Sequence, residues 1–317
     1  MEMKQPPIPG SKIAYVCNKY KTKSMKRVIS ILLFATPFIL HAQVKGIKHV
    51  ILIGIDGLGA NYLSNAKNVP TMQSMMKDGA STLHARCVMP SSSADNWASM
   101  TMGADPSLTG YTEWDSKVPE FPSRVTDQYG LFPSICGLLR EQKPKATIGV
   151  IYSWSGIGYL FPKKAVNKDE NTNNDSITLA HAQQYIKSEK PDFLFLHFDN
   201  VDGAGHNIGW GTPEYYRSIS IFDNHVGGIL AAVDEAGIRD NTIIILTSDH
   251  GGINKGHGGK TLQEMEIPWI IIGRKIKKGY ALKQSIMTYD TAATIAYIFG
   301  LKTPQVWVGR PVLEAFE

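Results

Sequence analysis

Cysteine is scarce in this sequence, with three residues in 317. That is too few for a disulfide framework. Cys17 falls in the amino-terminal segment. Cys87 and Cys136 can pair in an oxidising compartment, but two isolated cysteines read better as two buried thiols. Long hydrophobic runs are also missing. The longest, Val28 to Leu40, is too short for a membrane span, which needs about 20 residues. There is no internal repeat and no low-complexity tract. A basic stripe is absent as well, although the formal charge is +5. Seven Lys and Arg and one acid lie in residues 1–42, giving that segment +6 and leaving about −1 for the rest. A neutral remainder argues against binding DNA or RNA polymers.

What is present begins with a targeting signal. Met25-Lys26-Arg27, the apolar run and His41-Ala42-Gln43 have the order of a secretory signal peptide. Residues 1–24 then read as sequence upstream of the true start, 25–42 as the signal peptide, and 43–317 as one exported domain. No cysteine follows the apolar run where a lipoprotein needs one. A periplasmic or extracellular protein without a stable membrane anchor is expected.

The hydrophobic fraction of 43% suits one large core. Five apolar runs, His49–Asp56, Thr147–Tyr152, Phe193–Phe198, Thr242–Thr247 and Trp269–Ile272, read as buried strands. Helical stretches at 67–79, 95–103, 175–189, 212–236 and 288–299 alternate with them. This alternation predicts an α/β fold, a mostly parallel central sheet flanked by helices on both faces. Two Gly-, Pro- and polar-rich stretches, about 104–145 and 153–174, read as cap-like insertions near the carboxyl ends of strands, where open α/β sheets bind ligands.

Three of the strand runs end in, or lead into, acids and histidines: Asp56 in GIDGLG, Asp202 and His206 in FDNVDGAGH, Asp249 and His250 in TSDHGG. His257 follows in KGHGG. Carboxylates at buried strand ends are costly unless paired or bound to metal. Six such residues divide into two complementary ligand sets for zinc. Asp202, His206 and His257 form one; Asp56, Asp249 and His250 form the other. Two ions about 4 Å apart can clamp both oxygens of a phosphoryl displacement. His49, His84, His181, His197 and His225 fit no such pattern and read as structural. Ser91, Ser92 and Ser93 precede a helix start, where a hydroxyl meets backbone N–H groups and the helix dipole. Periodicity does not choose among the three.

The order Asp56, Ser93 with Asn96, Asp202-x-x-Gly-His206, Asp249-His250-Gly and His257 resembles the alkaline phosphatase superfamily, most nearly its type I phosphodiesterase/nucleotide pyrophosphatase branch. The closing segment YDTAATIAYIFGLKTPQVWVGRPV resembles that family's tail. The resemblance implies an alkaline-phosphatase-like fold, two divalent metals (Zn2+, or Mn2+), a small-molecule phosphate ester substrate such as a nucleotide, and a covalent phospho-serine. It selects Ser93 as nucleophile and metal ligand through the spacing Pro90, Ser91, Ser92, Ser93, Ala94, Asp95, Asn96. A phosphomonoesterase or phosphomutase on the same metals, and a non-catalytic metal-stabilised binding protein, are the alternatives. Two departures stand out. Relatives place a phosphate-binding asparagine about 21 residues after the nucleophile, where this chain has Trp114 between Glu113 and Asp115. Asn96 or a backbone N–H is left as the phosphate donor. His257 also comes only seven residues after His250, a spacing closer to the phosphomutases. The sulfatase pattern Cys-x-Pro-x-Arg is absent, since Cys87 is followed by Val-Met-Pro. Trp97, Tyr111, Trp114, Tyr152 and Trp154 are candidates to stack on a flat leaving group. No Lys or Arg neighbours Asp56, Ser93 or the His206 loop, which favours diesters over monoesters.

Overall fold

A computed structural model describes residues 43–317; the expected segments 1–24 and 25–42 lie outside the described residues. Its first strand, β1 (His49–Ile55), is buried along its whole length. β-branched and apolar side chains suit a pleat covered on both faces. Val50 and Leu52 enter one core cluster, and Ile51, Ile53 and Ile55 the other, as the two-residue period of a strand requires.

The remaining strands are β2 (Ala80–Arg86), β3 (Ile148–Tyr152), β4 (Lys168–Asn171), β5 (Phe193–Phe198), β6 (Thr242–Ser248), β7 (Glu266–Gly273) and β8 (Tyr280–Ala281). They form one sheet in the order β4-β3-β5-β1-β6-β7-β2-β8. The five strands from β4 to β6 in that order pair in parallel. β7 runs antiparallel to both β6 and β2, and β8 pairs in parallel with β2. The mostly parallel sheet expected from the alternation is therefore observed, with one strand reversed.

Helices cover both faces. Ser93–Met102, Ile135–Gln142 and Asp290–Phe299 contribute Trp97, Leu139 and Ile295 to the first cluster. Pro70–Asp78, Asp175–Glu189 and Pro213–Glu235 contribute Met72, Ile186 and Phe222 to the second. Local chemistry sets their starts. Asn174 accepts from the amides of Ser176 and Ile177, and Thr212 from that of Tyr215, with Pro213 at the first helical position. The consequence for function is positional. β5, β1 and β6 are neighbours with a common direction, so their carboxyl ends meet at one edge.

Several expectations need correction. β2, β4 and β8 were not anticipated. β2 carries Ser, Thr and His with mixed burial, and β4 is the polar tetrapeptide KDEN at the sheet edge. Both owe their form to pairing with a neighbour, and neither has a continuous apolar run to announce it. The stretch 153–174 is thus not all loop. Nor is 104–145 all cap: Ile135, Cys136, Leu138 and Leu139 belong to the central core. Cys87 and Cys136 are both free and buried. Among the described residues no helix is long and apolar enough to cross a membrane.

One buried contact ties two helices of the second face together. The carboxylate of Asp223 accepts from the amides of Thr71 (3.0 Å) and Met72 (2.7 Å), satisfying the open first turn of Pro70–Asp78 from another helix. Asp223→Ala strands both donors in a dry setting. The expected loss is about 1–3 kcal/mol of unfolding free energy in urea titration; an unchanged midpoint would contradict this bracing role.

Candidate active site

Asp56 follows β1, and its amide donates to Phe198 O of β5 at 2.8 Å, which fastens the end of one strand to its neighbour. Gly57 comes next with φ +73°, a left-handed conformation suited to glycine. A Cβ there would lie 2.7 Å from Asp202 Cα, while the Gly57 amide donates to Asp249 Oδ1 at 3.2 Å. Three strand ends are thus drawn together at a residue that has no room for a side chain. Asp202 and His206 lie one turn apart on the helix Asn200–Asn207, and Asp249 and His250 follow β6.

The six expected ligands converge in two neighbouring groups. Carboxylate oxygens of Asp56 and Asp249 and a ring nitrogen of His250 lie within 4.8 Å of one another, and so do donors from Asp202, His250 and His257. His206 Nε2 stands 3.4 Å from Asp202 Oδ2 and 3.1 Å from His257 Nε2. The first group is almost wholly buried; the second is more open, with the His206 side chain 45% exposed.

The histidines are oriented alike. Nδ1 of His250, His257 and His206 lies 2.8, 3.1 and 3.1 Å from the carbonyls of Gly251, Ser91 and Lys255. A carbonyl only accepts, so each Nδ1 carries the proton and each Nε2 keeps its lone pair. All three Nε2 atoms point into the cluster, the orientation a metal-ligating histidine takes from its outer partner. Burial, reinforced by His257, lowers the His250 pKa to about 3, and burial also lowers that of His257. Both rings are neutral donors at pH 7.

The carboxylates show what is missing from this balance. Asp56 Oδ1, Asp202 Oδ1 and Asp249 Oδ2 are buried with no hydrogen-bond partner. Burial, then repulsion from Asp56, pushes the carboxyls of Asp202 and Asp249 well above their ordinary range. Three unpartnered oxygens facing three imidazole lone pairs form a donor set suited to divalent metal.

The three serines separate cleanly. Ser91 Oγ donates to Gly259 O at 2.7 Å and accepts from Gly258 N, bracing the His257 loop. Ser92 Oγ bonds to the buried Asp95. Ser93 Oγ is left beside the cluster, 3.2 Å from His250 Nε2, at the first position of its helix. Asn96 does not reach the cavity. Its Oδ1 accepts from Val88 N at 2.7 Å, and its Nδ2 donates to Pro90 O and Ser92 O at 3.0 and 2.8 Å. It holds the serine loop from beneath, so the expectation of a phosphate donor there is not met by the geometry.

Beside this cluster lies a cavity of about 610 Å³, lined among others by Asp56, Ser93, Glu113, Trp114, Trp154, Asp199, Asp202, His206 and His257. Of the five aromatic candidates, Trp114 and Trp154 reach it. Trp97, Tyr111 and Tyr152 are buried in the core.

Other residues of the site were not foreseen. His197, assigned a structural place, is fully buried with Nε2 3.1 Å from Asp56 Oδ2. Trp97 Nε1 donates to the same oxygen at 3.1 Å. Two donors thereby hold Oδ2 and turn Oδ1 toward the cluster. Burial opposes ionisation of Asp56, but the hydrogen bond from His197, the neighbouring His250 ring and the hydrogen bond from Trp97 outweigh it and hold the carboxyl well below the usual range. The available signal was a lone histidine in the wholly buried strand FLFLHF, an expensive placement without a partner. Asp95 was missed too; burial raises its pKa to about 8, opposed by the Ser92 hydrogen bond.

A family model described as type I phosphodiesterase/nucleotide pyrophosphatase matches residues 50–256. The chain belongs to that family. The match takes in Asp56, Ser93, Asp202, His206, Asp249 and His250, and stops one residue before His257. Two curated relatives are GPI ethanolamine phosphate transferase 3 of Schizosaccharomyces pombe and phosphopentomutase of Clostridioides difficile. The first is 30% identical, over 42% of this chain and 14% of its own length. The second is 27% identical, over 46% of this chain and 36% of its own. The matched regions thus span little more than a third of these relatives at most. Among solved structures, murine ectonucleotide pyrophosphatase/phosphodiesterase 5, an inactive variant in complex with AMP, aligns with a TM-score of 0.68. It is 14% identical and covers 85% of this chain and all of the other. That likeness establishes the fold.

Two outcomes test the cluster as a metal centre. Treatment with a chelator should lower the melting temperature by several degrees, and zinc should restore it, because a ligand that binds only the native state stabilises it. His197→Phe should keep the fold by circular dichroism yet weaken zinc about 10–100-fold in competition with a chelating dye. Equal affinity would show that His197 does not orient Asp56.

Proposed function

We propose that this chain is a two-metal phosphodiesterase acting through a covalent phospho-serine at Ser93. The observation that carries the reading is the convergence of three unpartnered carboxylate oxygens and three imidazole lone pairs beside the Ser93 hydroxyl. Asp56, Asp249 and His250, with Ser93, would hold one ion, and Asp202, His206 and His257 the other. Zinc suits this mixed nitrogen and oxygen set, and manganese is the alternative to test. Two such ions supply positive charge that favours loss of the serine proton and offsets the negative charge developing on the phosphoryl oxygens.

The protein's own part is positional. The helix Ser93–Met102 presents Ser93 Oγ at its amino terminus, where the dipole favours an anion. Ser93 Oγ forms a bond to phosphorus as the bond to the leaving alkoxide breaks, and that oxygen takes up a proton. Water then displaces Ser93 from phosphorus, returning the free hydroxyl. Asn96, Ser92 and Asp95 keep the serine loop in place beneath this exchange.

A diester is favoured over a monoester because, among the described residues, no Lys or Arg lines the cavity. A monoester dianion calls for extra cations, whereas a diester needs room for a second arm, and the cavity provides it. A nucleotide is one ester of this kind, and Trp114 and Trp154 offer surfaces for a base.

The test is zinc content together with rates on bis(para-nitrophenyl) phosphate and para-nitrophenyl phosphate. The zinc-loaded protein should cleave the diester faster, and Ser93→Ala should lower that rate at least about 1,000-fold. Preference for the monoester would overturn the diester assignment. A zinc-loaded protein without turnover would leave a binding protein.

A further inference from the structure

We propose that Asp175 is a positioning residue for the Asp/His cluster, its carboxylate fixing the turn from which Asp202 and His206 are presented. This rests on the two-metal reading above and adds the residue that sets one half of the ligand set.

Asp175 is the first residue of the helix Asp175–Glu189 and is 2% exposed. Its carboxylate meets three donors, and all three come from segments that lead into the site. Oδ1 accepts from Ser153 Oγ at 2.6 Å and from Asp199 N at 2.9 Å, and Oδ2 accepts from Asn200 N at 3.1 Å. Ser153 directly follows β3, and its amide donates to His197 O of β5 at 3.1 Å. Asp199 directly follows β5, and Asn200 begins the helix Asn200–Asn207. One buried carboxylate therefore gathers the ends of two strands and the start of the helix that carries Asp202 and His206.

The start of a helix leaves backbone amides without partners. Asp199, the residue before this helix, does not cap it with its own side chain, which lines the cavity instead. Asp175 takes up that work from another helix. A carboxylate at this end is favoured by the helix dipole and by charge-assisted bonds to the amides. The helix has only eight residues, with Asp202 third and His206 seventh, so its first turn decides where both side chains stand. Asp175 is itself backed by its neighbours. Thr178, three residues along the same helix, has Oγ1 3.0 Å from Ser153 Oγ and 2.6 Å from Thr172 Oγ1. Only a carboxylate serves all three donors. In Asp175→Asn one oxygen becomes an NH2 group, which donates and does not accept. Whichever oxygen it replaces, the amide of Asp199 or that of Asn200 loses its acceptor.

The test is the zinc affinity of the full-length, metal-free protein, read in competition with a chelating dye. The unaltered protein should bind two ions. Asp175→Asn should weaken one of them about 10–100-fold, the scale of an outer partner of metal ligands, and leave the other within about twofold. Asp223→Asn is the matched control. It takes an acceptor from the amides that open the helix Pro70–Asp78, which carries none of the cluster's residues, and should leave both affinities alone. Unchanged affinity in Asp175→Asn, a loss shared equally by both ions, or equal weakening by the Asp223 change overturns the inference while the two-metal reading stands. No zinc bound by the unaltered protein overturns both. A second measurement needs no variant. In the unaltered metal-free protein the amides of Asp199 and Asn200 should be protected from hydrogen exchange before zinc is added. Free exchange there would show that Asp175 does not hold the turn.

Discussion

Everything at this site follows from negative charge concentrated where water is excluded. Asp56, Asp202 and Asp249 come from three adjacent strand ends, and each keeps one buried oxygen without a partner. No hydrophobic core tolerates such a cluster unaided. The chain accepts it because parallel β5, β1 and β6 deliver their carboxyl ends to the same edge, and because the glycine at position 57 lets the three approach closely. The same constraint accounts for the histidines. Each is turned by a backbone carbonyl so that its lone pair, and not its proton, faces the acids.

The outer partners show how a buried carboxylate is aimed. Asp56 Oδ2 receives two donors, from His197 and Trp97, and this leaves Oδ1 as the only oxygen free to act. Gly54 lies opposite His197 in the β1–β5 register, and its missing side chain makes room for the Trp97 ring. One polar bond therefore depends on a glycine in the strand and on an aromatic from the helix that carries Ser93. The Asp/His cluster and the helix of Ser93 are joined through the packing of Trp97.

Much of this was legible in the sequence, and the remainder was hidden for identifiable reasons. Continuous apolar runs ending in Asp or His pointed to the central strands and to the residues that gather at the cluster, because burial and charge at those positions conflict unless a site resolves them. The direction of β7 was not legible, since an apolar run has no sense. The edge strand β4 was not either, because KDEN becomes a strand only by pairing with β3. His197 was hidden because a single histidine carries no spacing pattern. Asn96 matched a family position, yet position alone did not reveal that its amide faces the backbone of Pro90 and Ser92.

Trp114 stands where the sequence resemblance implies an asparagine, and the position has a mechanical side. Its carbonyl is bonded to Ala94, so the loop that carries the cavity wall is also a brace for the residue beside Ser93. A small polar residue at 114 would keep that backbone bond and still open the wall. The indole therefore adds surface without being needed for the brace. Trp114 is 57% exposed, so burial does not account for the indole. The backbone of Trp114 thus braces the residue beside Ser93, while its side chain lines the cavity. Truncating the ring should weaken binding of a substrate arm, whereas shifting the loop should disturb the chemical step as well.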